Sequence, residues 1–323
     1  MPTPRSPGPS LRIGVVVAMT LAGCSTDGVD LDRQRTERSV TQGFADVLEP
    51  TVFDCPAVPD ARNAPVGQIA SSDGRTWTTP ADVRFGDGPR LDDLYNECTG
   101  VRPAGPSDVD VAALPITEVD ADGDVITGYL FGDNYFELFV NGTLVGVDPV
   151  PYTPFNSTIV RFRAKRPISY AVKLVDWEEN AGLGTERLGA DPWHAGDAGF
   201  VASFSDGTVT NDSWRAQTFS IAPLSDPADV VERGNVHDSS AAGPSGCADR
   251  CFALHYPVPT GWDAAAFDDS DWPTARLYSE AQVGVSYSAY QNFRGQFVGA
   301  GAQFIWTSNL VKDNVVLART TSP

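Results

Sequence analysis

Tyr135-Phe136-Glu137-Leu138-Phe139-Val140, then Asn141-Gly142, then Thr143-Leu144-Val145-Gly146-Val147, is the stretch that decides the fold. Asn-Gly is the preferred central pair of a type I′ turn, because both residues need positive φ and the hand of that turn matches strand twist. The expected product is a tight antiparallel hairpin. Side chains alternate across a strand, so Phe136, Leu138 and Val140 share one face and Tyr135, Glu137 and Phe139 the other, with one face expected to be core.

Outward from the hairpin the same period-two alternation recurs. Residues 158–164 alternate Val160 and Phe162 with Ile159, Arg161 and Arg163, and residues 169–177 alternate Tyr170, Val172 and Leu174 with Ala171, Lys173 and Val175. Further strands are expected around 198–204, 213–221, 303–307 and 314–320. With 25 Pro and 30 Gly punctuating the chain, helix signals are scarce. Many short strands separated by turn residues predict an all-β fold, an antiparallel β-sandwich or jelly roll, over residues 105–323. Residues 43–104 read as a small N-terminal extension packed on it, in which Ser72-Asp73-Gly74 turns between Gln68-Ile69-Ala70 and Thr76-Trp77-Thr78.

The first residues carry a different signal. Arg5 and Arg12 make a basic region, Ile13 to Ala22 an apolar run, and Leu21-Ala22-Gly23-Cys24 closes it. A run of that length falls short of the about 20 residues a spanning helix needs. The closing tetrapeptide resembles the bacterial lipobox, which implies that residues 1–23 are a cleaved lipoprotein signal peptide and that Cys24 carries the diacylglycerol anchor. Buried acyl chains hold at roughly 0.8 kcal/mol per CH₂, so two or three anchor firmly where one does not. Membrane lipid is thus one expected partner, and the expected location is the cell envelope, facing outside the cytoplasm. Residues 24–42, polar and charged with little to bury, read as a flexible tether.

The formal charge is −19, and it becomes more negative once Arg5 and Arg12 leave with the signal. A strongly acidic chain repels polyphosphate, which argues against nucleic acid as a partner. Of the five cysteines, four remain after Cys24, in a compartment where disulfides persist. Proximity pairs Cys55 with Cys98 and Cys247 with Cys251, although four cysteines allow three pairings. Cys247-x₃-Cys251-x₃-His255 also has spacing compatible with a metal site.

At the hairpin the chain resembles a family. Residues 132–142, Gly-Asp-Asn-Tyr-Phe-Glu-Leu-Phe-Val-Asn-Gly, with Pro151-Tyr152-Thr153-Pro154-Phe155, resemble the sugar-binding jelly rolls of the galactose-binding-like superfamily, including those attached to family 2 glycoside hydrolases. Gly261-Trp262-Asp263 with Phe267-Asp268-Asp269-Ser270-Asp271-Trp272-Pro273, Thr210 to Trp214, and Phe304-Ile305-Trp306 agree with it. The resemblance implies a β-sandwich whose loops at one end bind sugars, in some members with a structural calcium ion. Trp272 and Trp306 are expected in the core. Fold likeness alone does not supply an activity.

Nucleophile and phosphate-binding motifs are absent, and nothing around His194, His237 or His255 marks a catalytic base. Asp120-Ala121-Asp122-Gly123-Asp124 alternates carboxylates as hard-cation sites do, but Val125 and Phe131 stand where an EF-hand needs Gly and Glu. Two readings stay open there, a solvated acidic turn and a weak calcium site at Asp120, Asp122 and Asp124. Sugars are recognised by aromatic faces beside amides or carboxylates, because buried hydroxyls need partners. The candidates are Trp177 with Glu178, Glu179 and Asn180; Trp193 and His194; Asp148 with Tyr152; and the aromatics Tyr287, Tyr290 and Phe293. The reading is a surface-anchored protein that binds carbohydrate or another extracellular ligand without transforming it. The alternatives are a structural or adhesion protein with a protein partner and a hydrolase acting on extracellular glycans. A hydrolase would show a cleft with two facing carboxylates or a metal.

Overall fold

The computed structural model describes residues 1–2 and 38–322, and the second stretch forms the body of the fold. The expected signal peptide, Cys24 and the tether up to residue 37 lie outside the described residues. In chain order the strands of the first half are β1 (Ser39–Gln42), β2 (Asp46–Glu49), β3 (Val66–Ala70), β4 (Thr76–Thr79), β5 (Asp92–Tyr95), β6 (Thr117–Glu118), β7 (Asp124–Asp133), β8 (Tyr135–Val140) and β9 (Thr143–Val147). The second half adds β10 (Ser157–Ala164), β11 (Ser169–Val175), β12 (Gly199–Phe204), β13 (Arg215–Leu224), β14 (Val231–Arg233), β15 (Val236–Asp238), β16 (Phe252–His255), β17 (Arg276–Tyr278), β18 (Phe304–Trp306) and β19 (Asp313–Thr321). Three short helices, α1 (Glu280–Val283), α2 (Ser288–Gln291) and α3 (Arg294–Val298), sit between β17 and β18.

Two large sheets result. The first runs β1-β16-β13-β19-β11-β8-β9, and the second β17-β18-β12-β7-β10-β5 with β6 beside β10. All pairs are antiparallel except β6 with β10. The decisive hairpin forms as read: Val140 pairs with Thr143, and Asn141 and Gly142 take φ of 48° and 81°. The all-β sandwich is therefore the observed architecture.

One expectation about the hairpin needs correction. Phe136, Leu138 and Val140 pack with Phe162, Phe200 and Phe204 of the second sheet, as a core face should. Tyr135 and Phe139 on the opposite face are buried too, in a second cluster with Phe85, Trp177, Trp262 and Trp272. Glu137, on that same face, is also buried. The first sheet is thus covered on both sides, because the N-terminal extension and the long loops lie over the face that a two-layer sandwich would leave wet.

The extension is tied into both sheets. Its hairpin β3–β4 pairs Ile69 with Trp77 around the expected turn, and β5 pairs with β10. The tether ends earlier than residue 42, since Ser39–Gln42 is a strand in register with Phe252–His255. Ser39 and Thr41 are buried there, and Thr41 Oγ1 lies 2.8 Å from His255 Nε2. Both proximity disulfides form, Cys55–Cys98 and Cys247–Cys251, which removes the metal reading of the second pair. Trp272 and Trp306 are buried, as expected.

Tyr287 lies between two short helices, α1 and α2. Ser279 caps α1 by accepting from the Gln282 amide while Gln282 reaches back, and Gly284 ends it with φ of 72°. That reciprocal cap satisfies two amides a short helix would otherwise leave open. No helix among the described residues is long and apolar enough to cross a membrane.

Candidate functional site

Strands β7, β8, β10, β11 and β12 all begin or end at one end of the sandwich, and their loops enclose a cleft of about 660 Å³. Asp133 comes from the end of β7 and Phe155 from the approach to β10. Glu186, His194 and Asp197 come from the long β11–β12 loop. Arg62 arrives from the N-terminal extension and Tyr287 from the segment between α1 and α2.

One wall is aromatic. The rings of Phe155 and Tyr287 lie 4.4 Å apart at 31°, and Tyr287 is 46% exposed. Much of the remaining lining is charged. Glu186 pairs with Arg62 and accepts from the Tyr152 hydroxyl at 2.5 Å, while Arg62 also donates to that hydroxyl at 2.7 Å and lies over the Tyr152 ring. Glu186 is positioned by the backbone as well, exchanging amide–carbonyl bonds with His194. Asp133 is buried and accepts from the Asn134 side chain at 2.9 Å. Burial, and then the charges of Asp197 and Glu186, hold its carboxyl well above the usual range. Asp197 reaches solvent in the cleft, yet the protein packed around it, and then the Glu186 charge, push its carboxyl up to about 6. Behind this layer Asp176 and Glu178 are buried, and desolvation raises both.

The expected site residues divide. His194 lines the cleft. Trp193, 46% exposed with the Arg187 guanidinium 4.9 Å from its ring centre, lines a neighbouring groove of about 410 Å³ with Phe44. Trp177 is fully buried, its indole donating to Pro65 O at 3.1 Å and its amide to Asn134 Oδ1 at 2.6 Å. It is a core residue that fixes the cleft floor, and its ring meets no ligand. Tyr152 is also buried, and only its hydroxyl serves the site, through Glu186. Asp148 is buried outside the cleft lining, accepting from the Val150 amide and Asn156 Nδ2 to brace the β9–β10 loop. Tyr290 and Phe293 are buried in the core.

At the acidic turn Asp120 accepts from Asn141 Nδ2 and the Lys165 amide, and Asp122 pairs with Lys165 at 2.8 Å. Asp124 begins β7 opposite Ala164. These contacts fasten the turn to the Asn-Gly hairpin. Among the described residues no three His, Cys, Asp or Glu are grouped closely enough to hold a metal ion between them, so the calcium reading of Asp120, Asp122 and Asp124 is not carried forward. Arg62, Asp133, Glu186 and Asp197 were not singled out from sequence. They lie in separate segments with no shared spacing, and only folding brings them together.

No protein-family model matches the chain, and neither a curated protein nor a solved structure matches it.

Proposed function

We propose that the chain is a lipoprotein, anchored at the cell envelope through acylated Cys24 and facing outside the cytoplasm, whose cleft binds carbohydrate. The observation that carries this reading is the half-exposed Tyr287, its ring 4.4 Å from that of Phe155, lining one cleft together with the Arg62–Glu186 pair and Asp197. An aromatic face takes the apolar C–H surface of a sugar, and ionised or amide groups opposite satisfy its hydroxyls. The likeness of residues 132–142 and 261–273 to sugar-binding jelly rolls supports the same reading. The lipobox-like Leu21-Ala22-Gly23-Cys24 supports the anchor.

One observation favours a second reading, hydrolysis of an extracellular glycan. Asp197, with its carboxyl pushed up to about 6, neighbours a Glu186 held in an ion pair. Glycosidases use one carboxyl that keeps its proton beside another that stays charged.

A glycan array probed with the chain lacking residues 1–24 tests both readings. Binding that is lost in Tyr287→Ala and retained in Asp122→Asn supports the cleft, and a blank array removes carbohydrate as the ligand. Any glycan that binds is then assayed for new reducing ends. Release that disappears in Asp197→Asn while binding persists makes the protein a hydrolase; no release leaves it a binding protein.

A further inference from the structure

The cleft is lined by acid far more than by base. Asp60, Glu97, Asp133, Glu186, Asp191 and Asp197 all line it, against one arginine, Arg62, and no lysine. Arg62 is engaged on Glu186, and Glu97 has the Arg102 guanidinium 3.7 Å away. Asp60, Asp133, Asp191 and Asp197 form no ion pair among the described residues. These four reach one cleft from separate segments, the N-terminal extension, the end of β7 and the β11–β12 loop.

Three further observations say what kind of ligand this lining suits. Asp133 is only 4% exposed and yet lines the cleft. Its Oδ1 accepts from the Asn134 side chain at 2.9 Å, whereas Oδ2 has no hydrogen-bond partner among the described residues and still reaches solvent. Taking a carboxylate out of water without a partner is costly, so a carboxyl set in this way holds a proton until a counter-charge arrives. The aromatic wall shares the same space. Burial, and then the charges of Asp133 and Asp197, hold the Tyr287 hydroxyl above its ordinary range, which places that ring within electrostatic reach of both carboxyls. An aromatic face attracts a cation as well as covering the C–H surface of a sugar. Finally, the carboxylates do not converge. No three of them are close enough to share a metal ion, so the negative charge is spread along the cleft, where charges carried at intervals on a larger ligand answer it better than one bare ion.

We propose that the glycan this cleft takes is built of amino sugars whose amines are free and positively charged, with Asp133, Asp191 and Asp197 as their counter-charges. The inference rests on the sugar reading for the ring and adds the charge to it. An ammonium only donates hydrogen bonds and an ionised carboxylate only accepts them, so each satisfies the other. A hydroxyl at the same ring position carries no charge, and acetylating the amine removes the one it has. Either would occupy the aromatic wall and leave the acids of the cleft uncompensated.

The test is isothermal titration of the chain lacking residues 1–24, near neutral pH, with glucosamine oligomers, with the same oligomers N-acetylated, and with cello-oligosaccharides, which carry a hydroxyl where the amine stood. Glucosamine oligomers should bind at least about tenfold tighter than either neutral set, and added salt should weaken them alone. Asp133→Asn keeps the shape of the side chain and removes its charge, so it should cut glucosamine-oligomer affinity by about tenfold and change the neutral sets little. Asp191→Asn, at an exposed position, should act in the same sense by a smaller factor and serves if Asp133→Asn does not fold. Asp122→Asn, at the surface turn, should change nothing. A short oligolysine is the control for charge alone. Neutral oligomers that bind as tightly as glucosamine oligomers overturn the proposal and leave the sugar reading standing. Oligolysine binding as tightly as the glucosamine oligomers overturns it too, since charge without a sugar ring would then suffice. Failure of every oligosaccharide removes the sugar reading, and the proposal with it.

Discussion

His255 illustrates how a single residue is set by its surroundings. It is buried in β16, with Thr41 Oγ1 2.8 Å from its Nε2 and the Trp77 ring stacked 5.2 Å away at 17°. Burial penalises the charged ring and lowers its pKa from the ordinary 6.5 to about 4. The unfolded chain takes up a proton below about 6.5 and the folded one does not. Stability from this residue is therefore complete above about 6.5 and is lost as pH falls toward 4, by on the order of 3 kcal/mol at the acid end. An NMR titration of the His255 ring should find its midpoint near 4; a midpoint near 6.5 would show that the ring is not desolvated. At the same scale, Trp177, Tyr152 and Asp148 show why ligand residues are hard to choose from sequence. A Trp or Tyr beside carboxylates reads the same whether its ring plugs the core or faces a sugar, and only burial separates the two. Trp177 and Tyr152 are buried, whereas Tyr287 is 46% exposed and lines the cleft.

Among the elements, strands were legible wherever a period of two ran between turn residues. Residues 157–164, 169–175 and 313–321 fall within a few positions of their expected bounds. The helices α1 to α3 escaped because each is five residues or shorter, too brief to show a helical period, although Ser279-Glu280-Ala281-Gln282 carries a capping-box spacing. β1 escaped because its composition is that of the polar stretch before it, and its partner β16 lies more than two hundred residues away. The N-terminal extension has little core of its own, since Ala45 and Ile69 cluster with Ala181 of the β11–β12 loop, and it is tied to the body by β5, by the adjoining β1 and by the Cys55–Cys98 bond within it. That bond closes a separation of 43 residues and Cys247–Cys251 one of 4. Loop-closure entropy assigns about 4 kcal/mol to the first and about 2 kcal/mol to the second. Replacing Cys55 and Cys98 by Ser should then destabilise the chain in urea roughly twice as much as replacing Cys247 and Cys251. Equal losses would mean that β1 and β5 hold the extension without the bond.

Across the whole molecule, the acidic composition was legible but its placement was not. Sequence shows the charge of −19 and suggests a solvated surface, yet several carboxylates are interior. Asp148, Glu137 and Asp313 are buried, and burial raises all three, Asp313 to about 6. Nothing in the local sequence distinguishes these from surface acids, because they are buried by loops and strands remote in the chain. Their sign is opposite to that of His255. A carboxyl whose folded pKa is raised keeps a proton that the unfolded chain has released, so lowering the pH favours folding, and the repulsion among surface carboxylates weakens in the same direction. From pH 8 down toward 6.5 the carboxyls raised well above their usual range by burial, Asp133, Asp148, Asp176 and Glu178, set the trend, since His255 and His237, both lowered by burial, are still largely neutral in the unfolded chain; near 6.5 and below, the two histidines oppose it. Thermal unfolding in EDTA, which keeps cations from supplying the neutralisation instead, should thus give a Tm that climbs from pH 8 to about 6.5 and then levels or falls as His255 begins to count. A Tm that drops steadily from pH 8 downward would mean that the buried carboxyls are charged and compensated in the folded chain, and that the interior is better matched in charge than its side chains indicate.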